Sequence, residues 1–260
     1  MKKASIILTI LTFMILSACG SSQAGTQEGS SSKTIVMGTS ADYKPYEFID
    51  TTSGQEIVGF DIDIAKHIAD NLGYELEIED MDFNGLIAAL NSNKVDFVMS
   101  GMTPTEARKE KVDFSETYYV AKDFLITKEE DNITSLEDLQ NKSVGVQLGS
   151  IQEERAQELQ SNLKGLDISQ LDQIPQLFQE LKSGRIDAAI IENTVAKGYL
   201  EKNEDLTSFT INSSEERGSA AAFPKDNKLV EQFNKELQKM KESGKMDELI
   251  NKWFGEESTQ

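Results

Sequence analysis

Apolar residues at Ile64, Ala65, Ile68, Ala69 and Leu72 recur at the three- and four-residue spacing that lays one stripe along a helix, and Gly73 stands where it would end. Directly behind it Tyr74, Leu76 and Ile78 alternate with polar neighbours, the period of a half-covered strand. The run Val95-Asp96-Phe97-Val98-Met99 is almost unbroken in its apolarity and predicts a strand covered on both faces. It opens into Ser100-Gly101-Met102 and then Thr103, Pro104 and Glu106, in the order of a helix start: a cap, a proline at the first helical position and a glutamate closing the box. Arg108 would lie about one turn in. Unpaired backbone N–H groups, a partial positive charge and a forked donor together predict an anion site suited to a carboxylate. On these residues alone, an ordinary capped helix with a solvated arginine is the more economical reading.

The pattern repeats. Residues 86–101, LIAALNSNKVDFVMSG, overlay residues 177–192, LFQELKSGRIDAAIIE, at a constant offset of 91: Leu86 on Leu177, Leu90 on Leu181, Ser92 on Ser183, Lys94 on Arg185, Val95 on Ile186 and Asp96 on Asp187. A helix–turn–strand unit is used twice. More loosely, KTIVMGTS at 33–40 matches KSVGVQLGS at 142–150, each a basic residue, a strand and then Gly-Ser/Thr. Behind Gly149, the series Ser150-Ile151-Gln152-Glu153 forms a second capping box, opening an apolar-periodic helix. Alternating helices and strands predict an α/β fold of two similar lobes with mainly parallel sheets. Ligands of such sheets gather beyond the carboxyl ends of the strands, so a ligand between the lobes would meet Thr103 from one side and Ser150 or Ile151 from the other.

The first residues change the picture of location. Lys2 and Lys3, the apolar ASIILTILTFMIL and then Leu16-Ser17-Ala18-Cys19 read as a secretory signal ending in a lipobox, with cleavage before Cys19 and a lipid on its thiol. The apolar stretch of 13 residues is shorter than the ~20 a spanning helix needs. Cys19 is the one cysteine, so neither a disulfide framework nor a thiolate metal site is expected. Residues 20–33 are rich in Gly, Ser and Gln and read as a tether. The net charge of −19 becomes −21 once residues 1–18, which hold two lysines and no acids, are removed. Such a surface repels nucleic acid.

Candidate chemistry clusters at a few loops. Tyr43, Tyr46 and Phe83 supply aromatic faces, and Asp42, Glu47, Asp80 and Asp82 negative charge, a combination that suits the stem and head of a basic side chain. Core placement of Phe83 and surface placement of the acids compete with that reading. Glu192 ends the apolar strand DAAII, where an acid is costly unless paired or facing a cleft; it would meet a ligand ammonium or cap the next helix. His67, the one histidine, sits on a helix far from any nucleophile motif and reads as a boundary residue. No Cys/His or His-rich site can be assembled, and neither G-x-x-x-x-G-K-[ST] nor G-x-G-x-x-G occurs. No metal, cofactor or catalytic residue is expected.

From about residue 34 to 255, the segments GTSADYKPYEF, IVGFDIDIAKHIADNLG, DFNGLIAALNSNKVDFVMSGMTPTEARKEKVDFSETYY, VGVQLGSIQEE, GRIDAAIIENTVA and ESGKMDELINKWFG resemble the substrate-binding lipoproteins of polar amino acid ABC transporters. The resemblance implies a type II periplasmic-binding-protein fold, with crossings near YYVAKDFLI and ERGSAAAFP, and lobes over 34–120 plus 218–255 and over 121–217, followed by a tail at 256–260. It implies that Arg108 clamps the ligand α-carboxylate with the backbone N–H groups of Thr103 and Ile151, and that Gly101 and the Thr103 side chain receive the ammonium. Tyr43 and Phe83 would sandwich the side chain, with Ser100, Ser150 and Gln152 near by. Glu192 replaces the aspartate usual in basic amino acid binders, and Ser40 replaces another, so Glu47 or Asp42 would take over the cationic head. The implied partners are a free amino acid, best arginine or another basic one with glutamine, histidine and cystine as alternatives, a permease with its ATPase, and the membrane through Cys19. The chain would act as a monomer on the extracytoplasmic face of a Gram-positive cell. Two rivals are an amino acid sensor and an exported dehydratase, although no residue except Glu192 offers itself as its general acid or base.

Overall fold

The computed structural model describes residues 33–52, 54–212 and 217–255; the signal, Cys19, the tether up to residue 32 and the tail at 256–260 lie outside them. Strand β1 (Lys33–Thr39) leads into a small meander of β2 (Asp42–Tyr43), β3 (Glu47–Asp50) and β4 (Glu56–Val58). Helix α1 (Phe60–Leu72) follows, then β5 (Tyr74–Asp80), α2 (Leu86–Asn91), β6 (Phe97–Val98), the short α3 (Glu106–Lys109) and β7 (Asp113–Phe114). The chain crosses on β8 (Tyr119–Ala121) and builds a second lobe from β9 (Asp123–Lys128), β10 (Ser143–Gln147), α4 (Ile151–Asn162), β11 (Asp167–Leu171), α5 (Ile174–Lys182), β12 (Ala188–Glu192), α6 (Asn193–Leu200) and β13 (Leu206–Ile211). It returns on β14 (Arg217–Ser219), adds β15 (Ala222–Phe223) to the first sheet, and ends in α7 (Leu229–Ser243) and α8 (Lys245–Phe254). The crossings β8 and β14 pair with each other, antiparallel.

Each lobe holds a five-stranded sheet, ordered β5-β1-β6-β15-β7 in the first and β11-β10-β12-β9-β13 in the second. Within each, the strands joined through helices pair in parallel: β5 and β6 flank β1, and β11 and β12 flank β10. The strands that arrive from the other lobe, β15 and β9, enter antiparallel. The sheets are therefore mixed, parallel where a helix returns the chain and antiparallel at the crossings.

The two halves of the internal repeat do the same structural work. Asp96 Oδ2 accepts the Val36 N–H of β1 at 2.8 Å, and Asp187 Oδ2 accepts the Ser143 N–H of β10 at 2.8 Å. Each aspartate stands just before a central strand and ties it to its parallel neighbour. Both sheets are covered on two sides, as parallel pairing requires. One apolar cluster packs α1, α7 and α8 on the first sheet and α5 and α6 on the second, and separate clusters fill the faces beneath α2 and α4. Gly73 ends α1 in the left-handed region at φ 76°, as its position behind the apolar stripe predicts. His67 is half-buried and meets Asn71 through its ring nitrogen at 3.1 Å.

Candidate functional site

A cleft lies where β1, β6, β10 and β12 run out. It is lined by Ser40, Tyr43 and Glu47 from the loop and meander after β1, by Phe83, and by Ser100, Gly101, Thr103 and Arg108 from the segment after β6. Ser150, Ile151, Gln152 and Glu192 line it from the second lobe, and Asp42 and Gln147 complete the wall. The structure thus brings together every residue that the sequence nominated as ligand-facing, except Tyr46, Asp80 and Asp82.

Asp80 and Asp82 lie elsewhere, and Tyr46 reaches the cleft wall only through its hydroxyl. Tyr46 is fully buried beside Phe60, Tyr119 and Phe254, so its ring belongs to the core. Asp80 accepts the Ala41 N–H at 2.8 Å and holds the loop after β1, while Asp82 is exposed.

Arg108 is only 8 % exposed. Its Nη1 donates to the Thr103 carbonyl at 2.7 Å and its Nη2 to the Gly149 carbonyl of the other lobe at 2.8 Å, with the guanidinium carbon 5.4 Å from the centre of the Phe83 ring. No carboxylate pairs with it among the described residues. Burial lowers its pKa to about 10, which leaves it charged at neutral pH. A buried guanidinium that donates to two carbonyls beside an aromatic face, with Glu154 acting on it only through its charge, is poised for an anion.

The helix start before Arg108 differs from the expected one. The cap is Thr105, whose Oγ1 accepts the Arg108 N–H at 3.3 Å, and α3 has just four residues. Thr103 cannot serve because its carbonyl, which an N-cap commits to the helix, is taken by the Thr105 N–H and by Arg108 Nη1. The second box is closer to expectation. Ser150 Oγ accepts the Glu153 N–H at 3.2 Å, although Glu153 reaches back to the Gly149 N–H, one residue early. Gly149 has φ 78°, and a Cβ there would come within 3.1 Å of Asn84 in the first lobe, so this rim position needs glycine twice over. Helix α4 is less apolar than expected: its first turn buries Ile151 and Gln152, and after them only Ala156 is fully covered.

Acids dominate the remaining wall. Glu47 is fully buried; Ser100 Oγ donates to its Oε1 at 2.8 Å and itself accepts the Ser40 N–H at 3.1 Å, whereas Glu47 Oε2 has no partner among the described residues. Burial, with Asp61 next in weight, raises the Glu47 pKa well above its ordinary value. Glu192 Oε1 accepts from the Tyr46 hydroxyl at 2.5 Å, across the lobes, and from Thr194 Oγ1. Glu192 stands at the N-cap position of α6 but makes no capping bond, so that competing role falls away. Burial pushes its pKa up to about 7. Gln152 Nε2 donates to Asp123 Oδ1 at 2.8 Å.

Asp61 was missed. It is fully buried, and its Oδ2 accepts the Gly101 N–H at 2.8 Å and the Tyr118 hydroxyl at 2.7 Å. It orients the backbone of a cleft residue and reaches the residue before the crossing strand; burial raises its pKa to about 7. A carboxylate four residues before Ala65, on the apolar stripe of α1, was the signal. Gln147 carried a similar one, a polar residue ending the apolar strand Val144-Gly145-Val146.

Two lobes on paired crossing strands, with a buried cation and buried acids in the cleft between them, define a binding protein that closes on a small polar solute. Residues 35–256 match the sequence profile of the bacterial extracellular solute-binding proteins, family 3, and the chain belongs to that family. It is 50% identical over 258 residues, 98% of both chains, to the arginine-binding extracellular protein ArtP of Bacillus subtilis. Among solved structures, it is similar to the substrate-binding protein of an amino acid ABC transporter at a TM-score of 0.81 and 44% identity, over 85% of this chain and 99% of the other. It is also similar to the amino acid ABC transporter substrate-binding protein AbpA of Streptococcus pneumoniae bound to L-arginine, at 0.79 and 40%, over 87% and 97%. The family is one of binding proteins, so the chain is not an enzyme and the dehydratase alternative is set aside.

Proposed function

We propose that the chain captures free L-arginine, or a closely related basic amino acid, by closure of its lobes and delivers it to a membrane permease with its ATPase. A lipid on Cys19 holds it on the extracytoplasmic face of the membrane of a Gram-positive cell. The observation that carries the choice of ligand is Glu47, a fully buried cleft carboxylate with one oxygen unpartnered among the described residues, in the same cleft as a buried Arg108 that makes no ion pair among them. An amino acid with a cationic side chain satisfies both: its α-carboxylate meets Arg108 and its guanidinium meets Glu47. The ammonium falls to Glu192, to the Thr103 hydroxyl and to the carbonyl of Gly101, whose N–H is already bound to Asp61. Backbone N–H groups of Thr103 and Ile151 assist at the carboxylate, and Tyr43 and Phe83 flank the side chain. Asp42 is a weaker candidate for the cationic head, because its oxygens are engaged by Ser40 and by Ile174. The arginine-binding relatives support the same reading.

The test is thermal unfolding of the chain from residue 20 onward with each of the twenty amino acids, ornithine, citrulline and cystine. A ligand at 100 times its Kd stabilises the fold by about 2.7 kcal/mol. A rise confined to arginine and its relatives is expected, and Glu47→Gln should abolish the preference for arginine over citrulline. An unchanged arginine affinity in that variant would remove Glu47 from the site.

A further inference from the structure

We propose that Asp42 is a closure latch: its carboxylate, carried on the first lobe, is held by the first backbone N–H of helix α5 in the second lobe, a bond that forms on closure whether or not a ligand is present. Asp42 Oδ2 accepts the Ile174 N–H at 2.8 Å, and its Oδ1 accepts from Ser40 Oγ at 3.3 Å. Helix α5 lacks a side-chain cap of its own, since Gln173 at the N-cap position makes no capping bond. Pro175 has no N–H and the Gln176 N–H turns back to the Gln173 carbonyl, so the Ile174 N–H is the first-turn donor left over, and a carboxylate from the facing lobe takes it, favoured by the helix dipole.

Hydrogen bonds from Arg108 to the Gly149 carbonyl and from Tyr46 to Glu192 also join the lobes. Both use groups that the proposed ligand would claim, so its arrival changes them. The Asp42 bond differs, because both of its oxygens are engaged by protein. It therefore adds to the closed state in the free and the bound protein alike. A solute captured by the open form and locked in by closure leaves only after reopening, so a bond made only on closure acts on the dissociation rate. The charged groups that bear on Asp42 are Asp80, at the end of β5, and Glu47, in the neighbouring strand; the Tyr199 hydroxyl on α6 also senses it. All are acidic. With burial as the largest cause, the Asp42 carboxyl is raised to about 6, so the bond from the Ile174 N–H is charge-assisted only above that value.

The inference rests on the arginine reading for its kinetic arm alone. Stopped-flow binding of L-arginine to the parent, Asp42→Asn and Asp42→Ala should show a roughly tenfold faster dissociation in the alanine variant. The asparagine variant, which keeps an acceptor without the charge, should fall in between, and association should be little changed in both. Electron–electron distance measurements between spin labels on the two lobes, without ligand, should show the closed population shrinking in the same order. Unchanged dissociation and unchanged distances would overturn the latch. Slower association with unchanged dissociation would overturn it too, by making Asp42 a ligand contact. If the parent binds no arginine, the ligand reading fails, and the ligand-free distances alone decide the latch.

Discussion

The two lobes share a scaffold and differ in how the chain leaves the strand at the centre of each repeat. In the first, β1 ends in Gly38-Thr39-Ser40 and the chain folds into the β2–β4 meander, which brings Asp42, Tyr43 and Glu47 to the cleft. In the second, β10 is followed after Leu148 by the comparable Gly149-Ser150, and the chain runs straight into α4, which offers capped backbone and the neutral side chain of Gln152. Hence the first lobe contributes the arginine, two carboxylates and both aromatic faces, and the second contributes amides, a helix end and Glu192. The repeated unit sets the strand ends; the few residues after them set the chemistry. A binding protein gains from this asymmetry, because the lobe that carries most of the charge can hold the solute before the other closes on it.

The sharpest way to break the comparison is Arg108→Ala. If the first lobe supplies the clamp, this change leaves a ligand carboxylate buried without its charged partner and costs roughly 3–5 kcal/mol of binding. Titration calorimetry would read it as a loss of at least two orders of magnitude in affinity. An equal loss on removing the Gln152 side chain would mean that the lobes share the charge work and the asymmetry is wrong.

The acids sharpen it further through pH. Glu192 and Asp61 have folded pKa values of about 7, raised from ordinary values of 4.5 and 3.8, chiefly by burial. The folded protein therefore holds protons that the unfolded chain has already lost, and the ligand-free fold should lose stability as pH rises from about 4.5 to 7, each pKa unit being worth about 1.4 kcal/mol. A cationic solute requires the ionised acids. Its affinity should rise over the same window, with protons released on binding, measurable by calorimetry in buffers of different ionisation heat. Glu192→Gln should flatten the stability slope from the second lobe's side. Stability that rose with pH between 5 and 7 would contradict the burial of these acids.

Much of this was legible along the chain, for physical reasons that differ from residue to residue. The α1 stripe, the β5 alternation and the Asp96/Asp187 echo are local periodicities, and a period survives folding. The cleft residues were legible because strand ends gather ligands and because the chain resembles a known family. Tyr46 was misread because an aromatic beside an acidic loop looks the same whether its ring faces a cleft or the packing of α1 and α8. The Thr103 cap was misread because its carbonyl is taken within a five-residue turn, by the Thr105 N–H and the Arg108 guanidinium, and the capping pattern does not encode that turn. No local pattern pairs Asp42 with Ile174, 132 residues away.

The scaffold itself can be compared through its two aspartates. Asp187 accepts from Ser143 N–H and Oγ, both at 2.8 Å, and from Lys142 Nζ at 3.2 Å, while Asp96 takes the Val36 N–H. Asp187→Ala should cost about 2 kcal/mol of stability and Asp96→Ala about 1 kcal/mol, the larger loss following the larger number of hydrogen bonds. Chemical denaturation would rank them, and the reverse order would mean that the strand tie matters more in the first lobe.

The smallest effects belong to the two helix caps, and they separate structure from binding most cleanly. Ser150 caps the twelve-residue α4, whose first turn lines the cleft, so Ser150→Ala should cost about 1 kcal/mol of stability and weaken the ligand as the Ile151 end loosens. Thr105 caps the four-residue α3, where Arg108 is also fastened by its side chain to Thr103 and Gly149. The guanidinium should therefore stay in place when Thr105 is cut to alanine, and binding should change less than for Ser150→Ala. Unfolding and calorimetry on both variants decide the point. If the Thr105 variant loses the more affinity, the backbone of α3, and not the fastening of Arg108, positions the clamp.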